Sequence, residues 1–263
     1  MTRTLPGWSS SLLLLFLAAV HAPAQDMIGS SVASPEMSAA AASHARGLEL
    51  AGGGHFREAA GAFRQAIALK ADYAEAHYNL ADSYARLNLY ADALKSLEQV
   101  VRFRPEFAGA HNRMGSLYFL NGQPEQAVEA LKRAAALEPT VATTHSNLGV
   151  AYNALGRHRE AVASFERAIT LDPEFAEAHH HLGFTYYKLG RYEEEIESCR
   201  RALELKPELA EARYNLGMAY IFLKRRAEAL EQYAILKGQD AKLADKLYRM
   251  LYKDRLLTAT PAR

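Results

Sequence analysis

The sequence predicts an all-α solenoid: antiparallel helix pairs stacked one on the next and closed by a C-terminal capping helix. Three observations lead there. A period of 34 runs through the 263 residues: His77, His111, His145 and His179 obey it, as do Tyr84, Tyr118, Tyr152, Tyr186 and Tyr220, and Pro105, Pro139, Pro173 and Pro207. Within each period apolar residues recur twice at helical spacing. The two runs are parted at unit position 15 by Gly54, Asn88, Gly122, Gly156 and Gly190, residues suited to the left-handed conformation that ends a helix. The composition, 49% hydrophobic and 23% charged, supplies apolar material for a sizeable core.

In chain order, residues 1–24 are expected to be a secretory signal peptide. Arg3 precedes an apolar run from Leu12 to Val20, and the small-x-small pattern Ala22-Pro23-Ala24 places cleavage after Ala24. The run is far shorter than the roughly 20 residues that span a bilayer. No later segment is apolar enough to span, and no cysteine near Ala24 offers a lipid site. The mature chain is therefore expected to be exported, periplasmic or secreted, without membrane insertion. Residues 25–39, rich in Ser and Ala, read as a flexible leader.

Six repeat units follow over 40–239, at 40–73, 74–107, 108–141, 142–175, 176–209 and 210–239. Small residues at unit positions 8 and 20 let the two backbones of a pair approach, while Leu, Tyr and Phe at 7, 11 and 24 fill the space beside them. The proline at 32 stops the second helix and turns the chain into the next pair. One pair cannot bury its apolar face alone, so stacking supplies the core. The terminal units are atypical: the first has Arg46 at position 7 and lacks the proline, and the last also lacks it and has Lys224 where glycine is expected. Leu243, Leu247, Met250 and Leu251 then recur at helical spacing, which predicts a capping helix over 240–257 and leaves 258–263 as a tail. Glu195 stands at position 20, alanine in the other five units, so a carboxylate falls where the helices approach most closely. It is expected to splay the fifth pair locally and either tilt out to water or find a partner.

The densest unit reads His145, Leu148, Gly149, Tyr152, Ala161, Phe165, Ala168 and Pro173 at positions 4, 7, 8, 11, 20, 24, 27 and 32. With that pattern the chain resembles the tetratricopeptide repeat family. The resemblance covers nearly all of the mature chain, and it implies a right-handed superhelix in which the first helix of each pair lines a concave face. In arrays that resemble the glycosyltransferase-linked ones, a ladder of asparagines on that face holds an extended polypeptide. The set of lysines and asparagines by which other members grip a chaperone C-terminus is not reproduced.

Positions 2, 5, 6, 9, 12 and 13 lie opposite the core stripe at 4, 7, 8 and 11, and define the candidate site. Position 6 carries Asn79, Arg113, Asn147, His181 and Asn215, of which the asparagines both donate to and accept from a peptide backbone. Arg113 and His181 interrupt the ladder. Beside it lie Tyr78, Phe119, Phe184, Tyr187, Tyr214, Met218 and Phe222, expected to be exposed, with Asp82, Arg86 and Lys188 as further charge. Tyr187 and Tyr214 are expected to grip one extended segment together. The run His179-His180-His181 does not converge on a metal, because at about 100° per residue its members point apart. His179 is expected to pack with a satisfied ring, and His180 and His181 to face the groove.

Several classes are excluded. Lys+Arg is 31 against Asp+Glu 30, without the basic footprint of a nucleic-acid binder. No His-Glu-x-x-His, Gly-x-Ser-x-Gly, phosphate-cradling glycine loop or cysteine pair is present, so neither catalysis nor a cofactor is implied; Gly52-Gly53-Gly54 reads as turn chemistry. Cys199, the one cysteine, falls at a core position and is expected to be a buried structural thiol. The expected function is a non-enzymatic scaffold that binds a protein or peptide segment in its groove. The alternatives are an accessory subunit of a separate envelope or glycan-assembly enzyme, or a self-associating structural unit.

Overall fold

A computed structural model describes residues 35–252. The expected signal peptide, most of the expected leader, the end of the expected capping helix and the tail lie outside them. Among the described residues there are thirteen helices and no strand. The helices are α1 (Pro35–Gly52), α2 (Phe56–Leu69), α3 (Ala74–Arg86), α4 (Tyr90–Phe103), α5 (Ala108–Leu120), α6 (Pro124–Leu137), α7 (Ala142–Ala154), α8 (His158–Leu171), α9 (Ala176–Lys188), α10 (Tyr192–Leu205), α11 (Ala210–Phe222), α12 (Arg226–Gln239) and α13 (Ala241–Leu251). Odd helices to α11 are the first helices of the repeats and even ones their partners. Residues 35–39, expected to be leader, are instead helical, because nothing in Pro35-Glu36-Met37-Ser38-Ala39 stops the turn that proline opens.

The chain divides at 140/141 into two units of three repeats each, the second also holding α13. Within each, every odd helix packs on its even partner and each pair packs on the next. The turn between partners follows one recipe. Position 15 adopts positive φ at Gly54, Asn88, Gly122, Gly156 and Gly190, and also at Lys224 (φ 59°) in the atypical last repeat. The following amide then reaches back to the carbonyl of position 11, as in Arg191 N–H to Tyr186 O at 2.9 Å, which satisfies a helix-end carbonyl.

Close approach explains the small residue at position 8. A Cβ on Gly149 would lie 2.8 Å from the Phe165 ring, and one on Gly183 would lie 2.7 Å from Cys199 Sγ. In the last repeat the atom it would meet belongs to α13: a Cβ on Gly217 would stand 2.6 Å from Leu247. The capping helix thus seats a fully buried leucine against the final pair, and the Asp240 carboxylate opens it by accepting from the amides of Lys242 and Leu243 at 2.9 Å.

Glu195 departs from expectation. It neither tilts out nor finds a partner: it is fully buried, and both carboxylate oxygens lack a hydrogen bond among the described residues. The fifth pair is not splayed, since a Cβ on Gly183 would be only 3.4 Å from Glu195 O. The group escapes the cost of a buried charge by keeping its proton, burial pushing its pKa up to about 8. Burial also raises the neighbouring Cys199 thiol well above its ordinary value, with Glu195 adding to the shift.

Candidate functional site

The histidines at position 4 are local staples. His77, His111 and His179 donate through Nε2 to the carbonyls of Ala71, Pro105 and Pro173 at 3.0, 2.9 and 3.0 Å, each pinning the loop that precedes its own helix. His179 is therefore satisfied as expected. Its two successors differ from expectation. His180 Nε2 accepts from Asn215 Nδ2 at 3.2 Å, and the His181 ring is buried 5.7 Å from the Phe165 ring. Burial drives the His181 pKa down to about 3, with the neighbouring His180 contributing, so it stays neutral. Among the described residues no three His, Cys, Asp or Glu side chains are placed to hold a metal ion.

The position 6 row is likewise spent within the protein. In the first unit Asn79 Nδ2 donates to His44 Nε2 at 2.8 Å, the same link, 35 residues apart, that joins Asn215 to His180 in the second. Both histidines stand at position 5 of the preceding repeat, so these side chains stitch adjacent odd helices together. Arg113, 5% exposed, is ion-paired to Asp82 of the previous repeat, and Asn147 is buried. Arg113, Asn147 and His181 are thus not available as an exposed ladder. Each odd helix has another on its flank, and positions 5 and 6 turn into that seam.

Phe119 and Met218 also prove buried rather than exposed. Phe119 stands at position 12, only about 40° around the helix from position 8, so it falls on the shoulder of the core stripe. Met218 joins the cluster formed with Leu216, Tyr220 and Leu247, and Tyr214 packs half-buried on that cluster. The Tyr214 hydroxyl pKa is raised first by burial and then by Tyr187 nearby. In the first unit the remaining predicted residues are occupied as well. The Tyr78 ring lies 5.4 Å from Phe107, and its hydroxyl, pushed up to about 12 by burial and Asp82 against an opposing effect of Arg113, is shielded. Arg86 lies over the Phe56 ring at 5.7 Å.

What remains open is a platform in the second unit. The Tyr192 and Phe222 rings stack nearly parallel, centroids 4.8 Å apart and planes 4° apart. Tyr187 leans on both, at 6.4 and 5.7 Å, and Phe184 lies 6.4 Å beyond it. Lys188 places its ammonium over Phe184 and Tyr187 at 5.2 and 5.8 Å. Phe222 is 40% exposed, which is unusual for a ring built into a stack. The structure thus brings together Phe184, Tyr187, Lys188 and Phe222 of the predicted residues, and adds Tyr192. That residue opens α10 and lies outside the helix to which the concave positions belong; its signal was an aromatic two residues after Gly190, a place also held by Phe56 and Tyr90. Flat ring faces with a cation beside them suit adhesion and not bond making.

Similarity to known proteins agrees with this architecture. The model of a family described as TPR repeat matches residues 115–156, 151–190 and 185–221, and models described as Tetratricopeptide repeat match 44–110 and 210–234. The sequence matches no curated protein. Among solved structures, the MamA protein is 26% identical, with 66% of this chain and 94% of that one covered and a TM-score of 0.61. YrrB, described as a TPR protein with an unusual peptide-binding site, is 23% identical over 72% of this chain and 99% of its own, with a TM-score of 0.61. The pilF protein of Pseudomonas aeruginosa is 17% identical over 82% and 99%, with a TM-score of 0.69. The last two likenesses establish the fold alone.

Proposed function

This chain belongs to the tetratricopeptide repeat family, and from that premise we propose that it is a non-enzymatic scaffold that holds a protein or peptide segment on the aromatic platform where the odd helices of its second unit end. Proteins of this family typically bind protein or peptide partners, and the repeat is generally non-catalytic. The observation that carries the reading is the exposed Tyr192–Phe222 stack with Tyr187 against it. Rings held rigid by their helices lose little freedom when covered, and such residues dominate binding energies. The N-terminal Arg3, apolar run and Ala22-Pro23-Ala24 support export of the scaffold, and no described helix is long and apolar enough to cross a membrane.

The test is capture of partners by the immobilised protein from its native envelope, read by mass spectrometry, with and without Tyr192→Ala and Phe222→Ala together. A partner retained by the parent and lost by the double variant at unchanged melting temperature supports the reading. Retention by both places the binding surface elsewhere. The tyrosine pair Tyr187 and Tyr214 is a poorer probe than the sequence suggests, because Tyr214 also supports the core.

A further inference from the structure

The charges around the platform are sorted by edge. At the edge where odd helices end, Arg157, Arg191 and Arg225 are each neutralised by the glutamate three residues on, with nitrogen to oxygen distances of 2.8 Å. Four cations of that edge, Arg159, Lys188, Lys224 and Arg226, make no ion pair among the described residues, and two of them border the platform. Lys188 is the last residue of α9 and Lys224 forms the turn two residues after Phe222; both are exposed, and neither makes an ion pair among the described residues. Lys188 spends its charge on ring faces instead; burial, and after it the nearby Lys188 charge, depresses the pKa of His158. The opposite edge, where odd helices begin, carries the carboxylates of Asp172, Glu174 and Glu208; of its cations, Lys206 is paired with Glu177 and Arg213 is spent on Gln232, Gln239 and the Pro207 carbonyl. A 13-residue helix separates the two edges by about 20 Å.

We infer that the platform of Tyr187, Tyr192 and Phe222, with Lys188 and Lys224 at its rim, takes an acidic peptide segment that presents an aromatic or large apolar side chain between its carboxylates. The inference rests on the scaffold reading above and names the chemistry of the partner. The apolar anchor follows from the exposed Phe222 ring, which only a cover of similar character removes from water. The acidic flanks follow from two rim cations that have no carboxylate of their own, while Arg157, Arg191 and Arg225 are already matched and Glu193, the carboxylate next to Tyr192, is itself held 3.7 Å from Arg225. A basic segment meets repulsion from Lys188 and Lys224 at the platform and is better matched by the carboxylates of the far edge. An acidic one is drawn to the platform and kept from that far edge.

The experiment pans a random dodecapeptide library on the full-length protein and measures enriched peptides by fluorescence anisotropy. Three proteins are compared: the parent, Tyr192→Ala with Phe222→Ala, and Lys188→Glu with Lys224→Asn. Asparagine is chosen at 224 because it tolerates the positive φ of that position. Enriched peptides are expected to be net negative with an aromatic or large apolar residue. Their affinity should fall about tenfold or more without the platform rings. It should fall severalfold without the rim cations, with a salt dependence that largely disappears in that variant. Thermal melts check folding, and all four side chains are at least partly exposed. Neutral or basic peptides that still need the rings overturn the acidic partner and leave the scaffold reading standing. Enrichment that ignores the rings overturns the site. No enrichment at all overturns both, and concentration-dependent light scattering abolished by Phe222→Ala then assigns the platform to a second copy of the chain.

Discussion

The first three repeats and the last three share a backbone recipe but finish their turns differently. At position 16 the first unit has His55, Leu89 and Gln123, and the second has Arg157, Arg191 and Arg225. Each arginine lies over the position 11 tyrosine of its own repeat, at 4.6, 4.5 and 4.8 Å, and pairs with the position 19 glutamate. The covered rings of Tyr152, Tyr186 and Tyr220 are buried, at 7, 7 and 1% exposure, whereas Tyr84 and Tyr118 are only half-buried. One residue type at one repeat position thus carries a different energetic weight in the two units, decided by the residue five places on.

The largest effect that tests this contrast is truncation of the tyrosine. Tyr152→Ala should cost about 3–5 kcal/mol, as for a large buried side chain, and Tyr118→Ala about half that because part of its ring is already wet. Urea denaturation followed by circular dichroism measures both. Equal losses would mean that the arginine adds nothing to burial and that the two units are energetically alike.

A second contrast lies where partners touch. Position 20 is a fully buried alanine at Ala59, Ala93, Ala127, Ala161 and Ala229, but Glu195 in the fifth repeat. Its pKa is raised from the ordinary 4.5 to about 8, so between those values the folded chain holds a proton that the unfolded chain has released. Stability must then fall as pH rises across that window, by about 1.4 kcal/mol per pH unit at most, and level off above it. Glu195→Gln should abolish the slope. It should stabilise the protein by about 3 kcal/mol near pH 7 and by little at pH 4.5. The measurement is the denaturation midpoint of both proteins from pH 4.5 to 9; parallel curves would show that the carboxylate is solvated or paired in solution.

These contrasts mark what the sequence could and could not carry. Positions that repeat within one helix pair were legible: the left-handed turn residue at Gly54, Asn88, Gly122, Gly156 and Gly190, the glycine that faces position 24, the closing helix that seats Leu247, and the position 4 histidines; Lys224, which departs from the turn pattern, adopts the same conformation. Positions whose environment is set by the next repeat were not. A helical wheel places Asn79, Arg113 and His181 away from the core stripe, but the wheel has no flanking helix on it, and the flank is what His44 and Asp82 occupy. Tyr192 is invisible to a wheel of the first helix of each pair, because the platform joins the end of α9 and of α11 to the start of α10. Glu195 was recognised as out of place, but not that a proton would let the pair stay closed.

The smallest effect separates the two halves of the arginine staple. Arg191 is exposed; its pairing with Glu194 raises the arginine pKa and lowers that of the glutamate, and its guanidinium covers the Tyr186 ring. Surface ion pairs contribute little and are screened by salt, while the covered ring loses its shield whatever the ionic strength. Arg191→Ala should therefore lower the melting temperature slightly, and most of that loss should persist in 1 M NaCl, where the Debye length is about 3 Å. Glu194→Ala removes the ion pair and the carboxylate's hydrogen bond to backbone in the first turn but leaves the ring cover in place, so its loss should be smaller and should shrink more in the same salt. Leu89→Ala and Gln123→Ala, at the same position of the first unit, have no staple to break and should show no salt-dependent component. If high salt erases the Arg191→Ala loss completely, the guanidinium acts on the turn through charge alone, and the burial of Tyr186 has another cause.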